Sequence, residues 1–180
     1  GGARLAVTPA LVDVHGGAWY RGAVSDGAHY ARRLAALGVR VLSVEFRDAA
    51  LGGEHPQAGK DITAAVRYLR LHAQHFGVDP DQIGLIGSSS GGHLAMLAAV
   101  LPDAVLHQGT EINLARPGLA PAFAPALPEI KAAVCGVAAL WPVADPLYRY
   151  HFAQRTGRPE LRAGHEAYFR TMHVMHAASV

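Results

Sequence analysis

Cysteine is nearly missing from this chain. Cys135 is the only one in 180 residues, which excludes an intrachain disulfide and leaves the redox compartment open. Charge is also sparse, at 17% of residues, and close to balanced, with 16 Lys and Arg against 14 Asp and Glu. The cations are scattered rather than gathered into a stripe, so no nucleic-acid groove is indicated. Long apolar runs are absent. The longest, Ala132 to Ala144, is interrupted by Gly136 and Pro142 and falls short of the roughly 18 residues a membrane span needs. No two glycines are separated by a single residue, so the G-x-G-x-x-G dinucleotide fingerprint is absent. Gly59-Lys60 lacks the upstream glycine of a phosphate loop. There is no starting Met; the chain opens on Gly1-Gly2, and a trimmed beginning is expected. A cytoplasmic location is the working expectation. With 51% hydrophobic residues, the composition excludes a disordered tail and supports one domain with a sizeable core.

Short apolar runs alternate with helical patterns. Leu11-Val12-Asp13-Val14 is a β-branched run ending at His15-Gly16-Gly17. A helix is predicted over 26–37, with Asp26 as N-cap, then a strand over Val39 to Phe46. Ile62, Val66, Leu69, Ala73 and Phe76 are spaced 4, 3, 4, 3, which is one face of a long helix. A third strand covers Gln82 to Gly87, followed at once by a helix from about Gly91 to Val100. A Pro/Ala-rich connection over 102–130 leads to a fourth strand, Ala132 to Leu140, and then to a helical tail. Strands alternating with helices imply an α/β fold, a mostly parallel sheet covered on both faces. The ligand site is expected along the strand C-termini.

Two segments carry chemistry. Gly87-Ser88-Ser89-Ser90-Gly91 fits G-x-S-x-G between a strand and a helix, with Ser89 at its centre. A tight strand-to-helix turn lifts a serine hydroxyl above the sheet edge, and the flanking glycines Gly87 and Gly91 avoid the clashes such a turn creates. The second segment is His15-Gly16-Gly17-Ala18-Trp19, a glycine loop whose small residues let backbone amides approach a carbonyl oxygen closely. With Ser90, the amides of Gly17 and Ala18 can offer up to three donors to an oxyanion. Trp19 and Tyr20 either line an acyl or alcohol pocket or pack in the core.

The series His15-Gly16-Gly17-Ala18-Trp19, Ser43-Val44-Glu45-Phe46-Arg47, Glu54-His55-Pro56, Asp79-Pro80-Asp81-Gln82-Ile83 and Gly87-Ser88-Ser89-Ser90-Gly91-Gly92-His93-Leu94-Ala95 resembles the α/β-hydrolase esterases and lipases. The closest group is the hormone-sensitive-lipase-like and acetyl-esterase-like enzymes. The resemblance implies a serine hydrolase acting on a small carboxylic ester, with Ser89 as nucleophile and Gly17, Ala18 and Ser90 as oxyanion donors. His15 becomes a structural residue of the loop. The implied partner is a small-molecule ester, no metal or organic cofactor is required, and a homodimer is open as the assembly. Ala18 stands where the commonest pattern has a third glycine. An arylformamidase or amide hydrolase with the same machinery is the alternative enzyme. A catalytically silent hydrolase fold is the alternative from another class.

The resemblance weakens toward the end of the chain. In such enzymes an acid and then a histidine follow the serine, each on a loop after a later strand. No such strands are legible after Leu140. Asp145 with His151, His165, His173 or His176 is one arrangement. The other, preferred, is a single domain over 1–180 that is incomplete at its C-terminus, with acid and base outside this chain and 146–180 forming a helical cap. Tyr148, Tyr150, Phe152, Tyr168 and Phe169 suit either a cap or packing on the sheet edge. The pairs His72/His75 and His173/His176 are read as surface histidines, Asp61 as a loop anchor at the start of the long helix, and Cys135 as inert in a buried strand.

Overall fold

The computed structural model describes residues 7–108 and 129–180; most of the expected Pro/Ala connection lies outside the described residues. Four strands, β1 (Thr8–Val14), β2 (Arg40–Val44), β3 (Val78–Ser88) and β4 (Val137–Leu140), form one sheet in the order β2-β1-β3-β4. Every pairing is parallel, with Val12 beside Leu42 and Leu85, and Leu85 beside Val137. The central position of β1 and β3 accounts for their apolar character, since strands flanked and covered on both sides have little polar surface to present. Because all four run the same way, Val14, Val44, Ser88 and Leu140 end on one edge, and the loops that follow them meet there.

Alternate residues point to opposite faces of a strand. One face carries Ala10, Val12, Val14, Ile83 and Leu85, which share a buried cluster with Ile62, Val66 and Leu69 of α2 (Gln57–Leu71) and Leu94, Leu97 and Ala98 of α4 (Ser90–Val100). The other face carries Asp13, which is 1% exposed. Its carboxylate accepts hydrogen bonds from Tyr30 Oη of α1 (Ala28–Ala36) at 2.5 Å and from Ser43 Oγ at 3.0 Å. A buried charge is thus satisfied by two hydroxyls, while burial, reinforced by Asp13, pushes the Tyr30 phenol well above its ordinary pKa.

The chain continues into three helices, α5 (Pro146–Arg155), α6 (Pro159–Phe169) and α7 (Met172–Ala177). Tyr150, Tyr168, Phe169 and Met175 from these helices join the main cluster, while Tyr148 remains exposed. The aromatic tail therefore packs into the core beside the ends of the strands.

Several sequence expectations need correction. Asp26 does not cap α1; Gly27 holds that position without a side-chain bond, and Asp26 accepts the Ala23 amide instead. The long helix is broken at His72 into α2 and α3 (Ala73–Phe76), so the five spaced residues straddle a kink. Asp61 does anchor the preceding segment, receiving Arg47 N (2.9 Å), Nε and Nη2, but from one turn inside α2 rather than at its start. His72 is half-buried against the Tyr68 ring. β4 is only four residues long, and Cys135 lies before it and is exposed. Gly136 explains the shortness, because glycine weakens a strand interior. Among the described residues, no helix is long and apolar enough to cross a membrane.

Candidate active site

Ser89 sits between β3 and α4 with φ 53° and ψ −120°, a left-handed conformation that a residue with a Cβ adopts at a cost on the order of 1 kcal/mol or more. Close backbone packing holds it there. A Cβ on Gly91 would lie 2.2 Å from the Val14 carbonyl oxygen and 2.3 Å from that of His15, and one on Gly87 would lie 2.5 Å from the Gly91 oxygen. Only glycine lets α4 begin this close to the end of β1. The Ser89 amide donates to Leu140 O (2.9 Å), and its carbonyl accepts from His93 N (3.1 Å) and Val143 N (3.3 Å). Both main-chain groups of Ser89 are thus engaged. The hydroxyl is half-buried and has no hydrogen-bond partner among the described residues.

The glycine loop lies against this turn. A Cβ on Gly16 would come within 3.0 Å of Ser88 O and 3.5 Å of Ser89 Cβ. Gly17, Ala18 and Trp19 follow at φ 119°, 55° and 64°. Tyr20 N and Arg21 N donate to Gly17 O, at 3.3 and 3.2 Å, which closes the loop on itself. The amides of Gly17, Ala18 and Ser90 donate to no acceptor among the described residues. His15 is buried inside the loop; its Nδ1–H donates to Gly16 O (2.8 Å), and its ring stacks on Phe46. From the tail, Gly164 of α6 packs on the loop so closely that a Cβ there would sit 2.5 Å from Ala18 O. Five non-glycine residues among those described have positive φ, and four of them (Ala18, Trp19, Ser89 and Trp141) follow β1, β3 and β4 on the same edge. Strained backbone of this kind clusters at functional sites in proteins generally.

Such an arrangement suits nucleophilic attack: a hydroxyl at a helix N-terminus, near amides able to receive developing negative charge. A proton acceptor for Ser89 is another matter. Asp145 Oδ1 accepts Tyr148 N (2.8 Å), capping α5, and Ser179 Oγ (3.0 Å). The Tyr148 amide is the main cause holding its carboxyl below the usual range. His165 is fully buried and donates Nδ1–H to Leu161 O, while His151 pairs with Gln154. His173 and His176 are exposed on α7. Among the described residues no histidine is hydrogen-bonded to the Ser89 hydroxyl, and no group of three His, Cys, Asp or Glu is placed to hold a metal.

A family model described as BD-FAE matches residues 3–116, more than half of the chain and all of the glycine loop and the Ser89 turn. The chain belongs to the BD-FAE family. Its relatives include the probable carboxylic ester hydrolase LipM of Mycobacterium tuberculosis, 34% identical over 96 residues, which is 53% of this chain and 22% of LipM. Among solved structures, a hyperthermophilic esterase from Pyrobaculum calidifontis superposes with TM-score 0.67 at 24% identity, over 93% of this chain and 49% of that one. The acetyl ester-xyloside bifunctional hydrolase from Caldicellulosiruptor lactoaceticus gives TM-score 0.65 at 18% identity, over 92% of this chain and 51% of that one. The fold of this BD-FAE member is therefore that of the α/β-hydrolase esterases, and the chain spans about half the length of those two structures.

Two residues that sequence reasoning did not single out belong to this edge. Trp141, with φ 40°, is 74% exposed just after the carbonyl that holds Ser89 N. His93 lies one helical turn beyond Ser89 and is fully buried. Only its place in the motif could have flagged it. Trp19 is also in the core, 1% exposed, packed edge-on to His93, His165 and Phe169. Tyr20 is half-buried with Arg21 over its ring.

This cluster makes a prediction about acid. Burial lowers the pKa of His93 and of His55 from 6.5 to about 4, so between pH 6.5 and 4 the unfolded chain takes up protons that the folded one refuses. Stability is full above pH 6.5, falls as the pH drops toward 4, and then levels off for these groups. For His93 alone the expected loss at pH 5 is about 2 kcal/mol. Urea unfolding at pH 7 and pH 5 checks it; an unchanged midpoint contradicts the buried neutral imidazole.

Proposed function

We propose that the protein is a serine carboxylesterase that hydrolyses small acyl esters through an acyl-enzyme on Ser89. The observation that carries this reading is the strained Ser89 turn, packed against a loop whose amides at Gly17 and Ala18, with that of Ser90, are left without acceptors among the described residues. In this reading Ser89 Oγ attacks the ester carbonyl carbon, the carbonyl oxygen becomes the oxyanion received by those amides, and collapse expels the alcohol. Water then attacks the acyl carbon, and breakage of the Ser89 Oγ–acyl bond releases the carboxylic acid and regenerates Ser89. We place the base that takes the serine proton outside the described residues, since none of them is hydrogen-bonded to the hydroxyl. No step calls on a metal or organic cofactor, and the substrate is a small-molecule ester. The names of relatives such as LipM and the esterase of Pyrobaculum calidifontis support the same class.

The test is pre-steady-state hydrolysis of p-nitrophenyl acetate by the full-length protein. A burst of p-nitrophenol approaching one equivalent per chain is expected, because acylation releases the alcohol before deacylation limits turnover. Faster turnover of N-formylkynurenine than of the acetate ester would instead place the chain among amide hydrolases. No turnover of either overturns the enzymatic reading.

A further inference from the structure

The loop carrying the Gly17 and Ala18 amides follows a left-handed course at Ala18 and Trp19 that neither residue favours alone. The main chain contributes the contacts to Gly17 O and one from Ala49 N to Trp19 O (2.9 Å). Besides the packing of Gly164 on Ala18 and of Gly16 on the Ser89 turn, the Trp19 side chain adds a polar hold. Its Nε1–H is buried and donates to His93 Nδ1 at 3.2 Å. An indole nitrogen can only donate, so His93 Nδ1 must be bare and its proton must be on Nε2. The other side of the ring agrees: Nε2 lies 2.8 Å from the Ala178 carbonyl oxygen, which can only accept. Both ring nitrogens are therefore committed and the tautomer is fixed from two directions.

His93 is also joined to the nucleophile turn. It lies on the first turn of α4, and its backbone N–H donates to Ser89 O (3.1 Å). One imidazole thus links the serine turn, the glycine loop and Ala178, the residue that caps the C-terminus of α7. Fully buried and with both nitrogens engaged, it has no capacity to take the Ser89 proton.

We propose that His93 is a positioning residue for ester hydrolysis: by accepting the Trp19 indole N–H while bonded to Ala178 O, it holds the glycine-loop amides in register with Ser89 and thereby sets the rates of acylation and deacylation alike rather than the binding of the ester. This rests on the esterase reading. A displaced amide loses its grip on an oxyanion that exists only in the transition state, so the loss falls on kcat.

The experiment uses the full-length protein and two variants. Trp19→Phe keeps the ring and removes only the N–H donor; His93→Leu removes the acceptor. Each is expected to lower kcat for p-nitrophenyl acetate roughly tenfold or more, with KM within about twofold. The double variant should be no slower than the slower single, because both break one link. The rate of modification by a fluorophosphonate should fall in parallel with kcat. In the wild type, proton NMR should show the Trp19 indole N–H exchanging slowly with solvent, and exchange should quicken in His93→Leu. If His93→Leu does not fold, Trp19→Phe carries the test. Wild-type turnover with an unchanged kcat in Trp19→Phe, or a loss confined to KM, overturns the positioning role alone. A wild type without serine-dependent turnover overturns the esterase reading and, with it, this inference.

Discussion

Ser89→Ala is expected to lower the turnover of p-nitrophenyl acetate by roughly 10³- to 10⁶-fold while leaving stability within about 1 kcal/mol of the wild type. The two halves of this expectation come from different observations. The hydroxyl has no hydrogen-bond partner among the described residues, and the side chain is half-buried, so its removal leaves nothing unsatisfied. The strained backbone is unchanged, because alanine has the same Cβ at φ 53°. The chemistry loses its proposed nucleophile. What residual rate survives belongs to the amides of Gly17, Ala18 and Ser90, which can still polarise a carbonyl toward water. Steady-state kinetics with thermal unfolding as the control measures both halves. An active Ser89→Ala variant means that the nucleophile lies elsewhere.

Gly91→Ala is expected to be strongly damaging. Its Cβ would meet the carbonyl oxygens of Val14 and His15 at 2.2 and 2.3 Å. Both atoms are backbone at the end of a central strand, so relief requires α4 to move away from β1. A shift of that kind also breaks the Ser89 turn and its contact with Gly16. The expected cost is about 3 kcal/mol or more, together with loss of activity. Gly136→Ala is the control: a Cβ there has nothing within 4 Å, and the change should stay within about 0.5 kcal/mol. Urea midpoints of the two variants decide it. Equal midpoints contradict the close packing of α4 on β1.

The patterns that the sequence exposes and those that it hides differ in range. The spacing of Ile62, Val66 and Leu69 reveals the buried face of α2 because three- and four-residue steps are a local property. The Ser89 turn is legible for the same reason, being a short run of small residues between a strand and a helix. What stays hidden depends on contacts across the chain. His72 breaks the long helix although the apolar spacing runs through it. Gly136 shortens β4 and leaves Cys135 exposed, where the apolar run suggested a buried strand. Asp26 has a capping side chain but spends it on Ala23. Trp19 packs in the core through partners at positions 93, 165 and 169, and Gly164 rests on Ala18 from a distance of 146 positions. No local pattern announces such meetings. Even the role suggested here for His93 depends on three carriers of polar atoms, Trp19, Ser89 and Ala178, that only the fold assembles.

The measurement that bears most directly on Ser89 is covalent labelling of the full-length protein with a fluorophosphonate, followed by intact-mass and peptide analysis. The account predicts one adduct per chain, located on Ser89 and absent from Ser89→Ala. An unlabelled wild type, or an adduct on another residue, would contradict it.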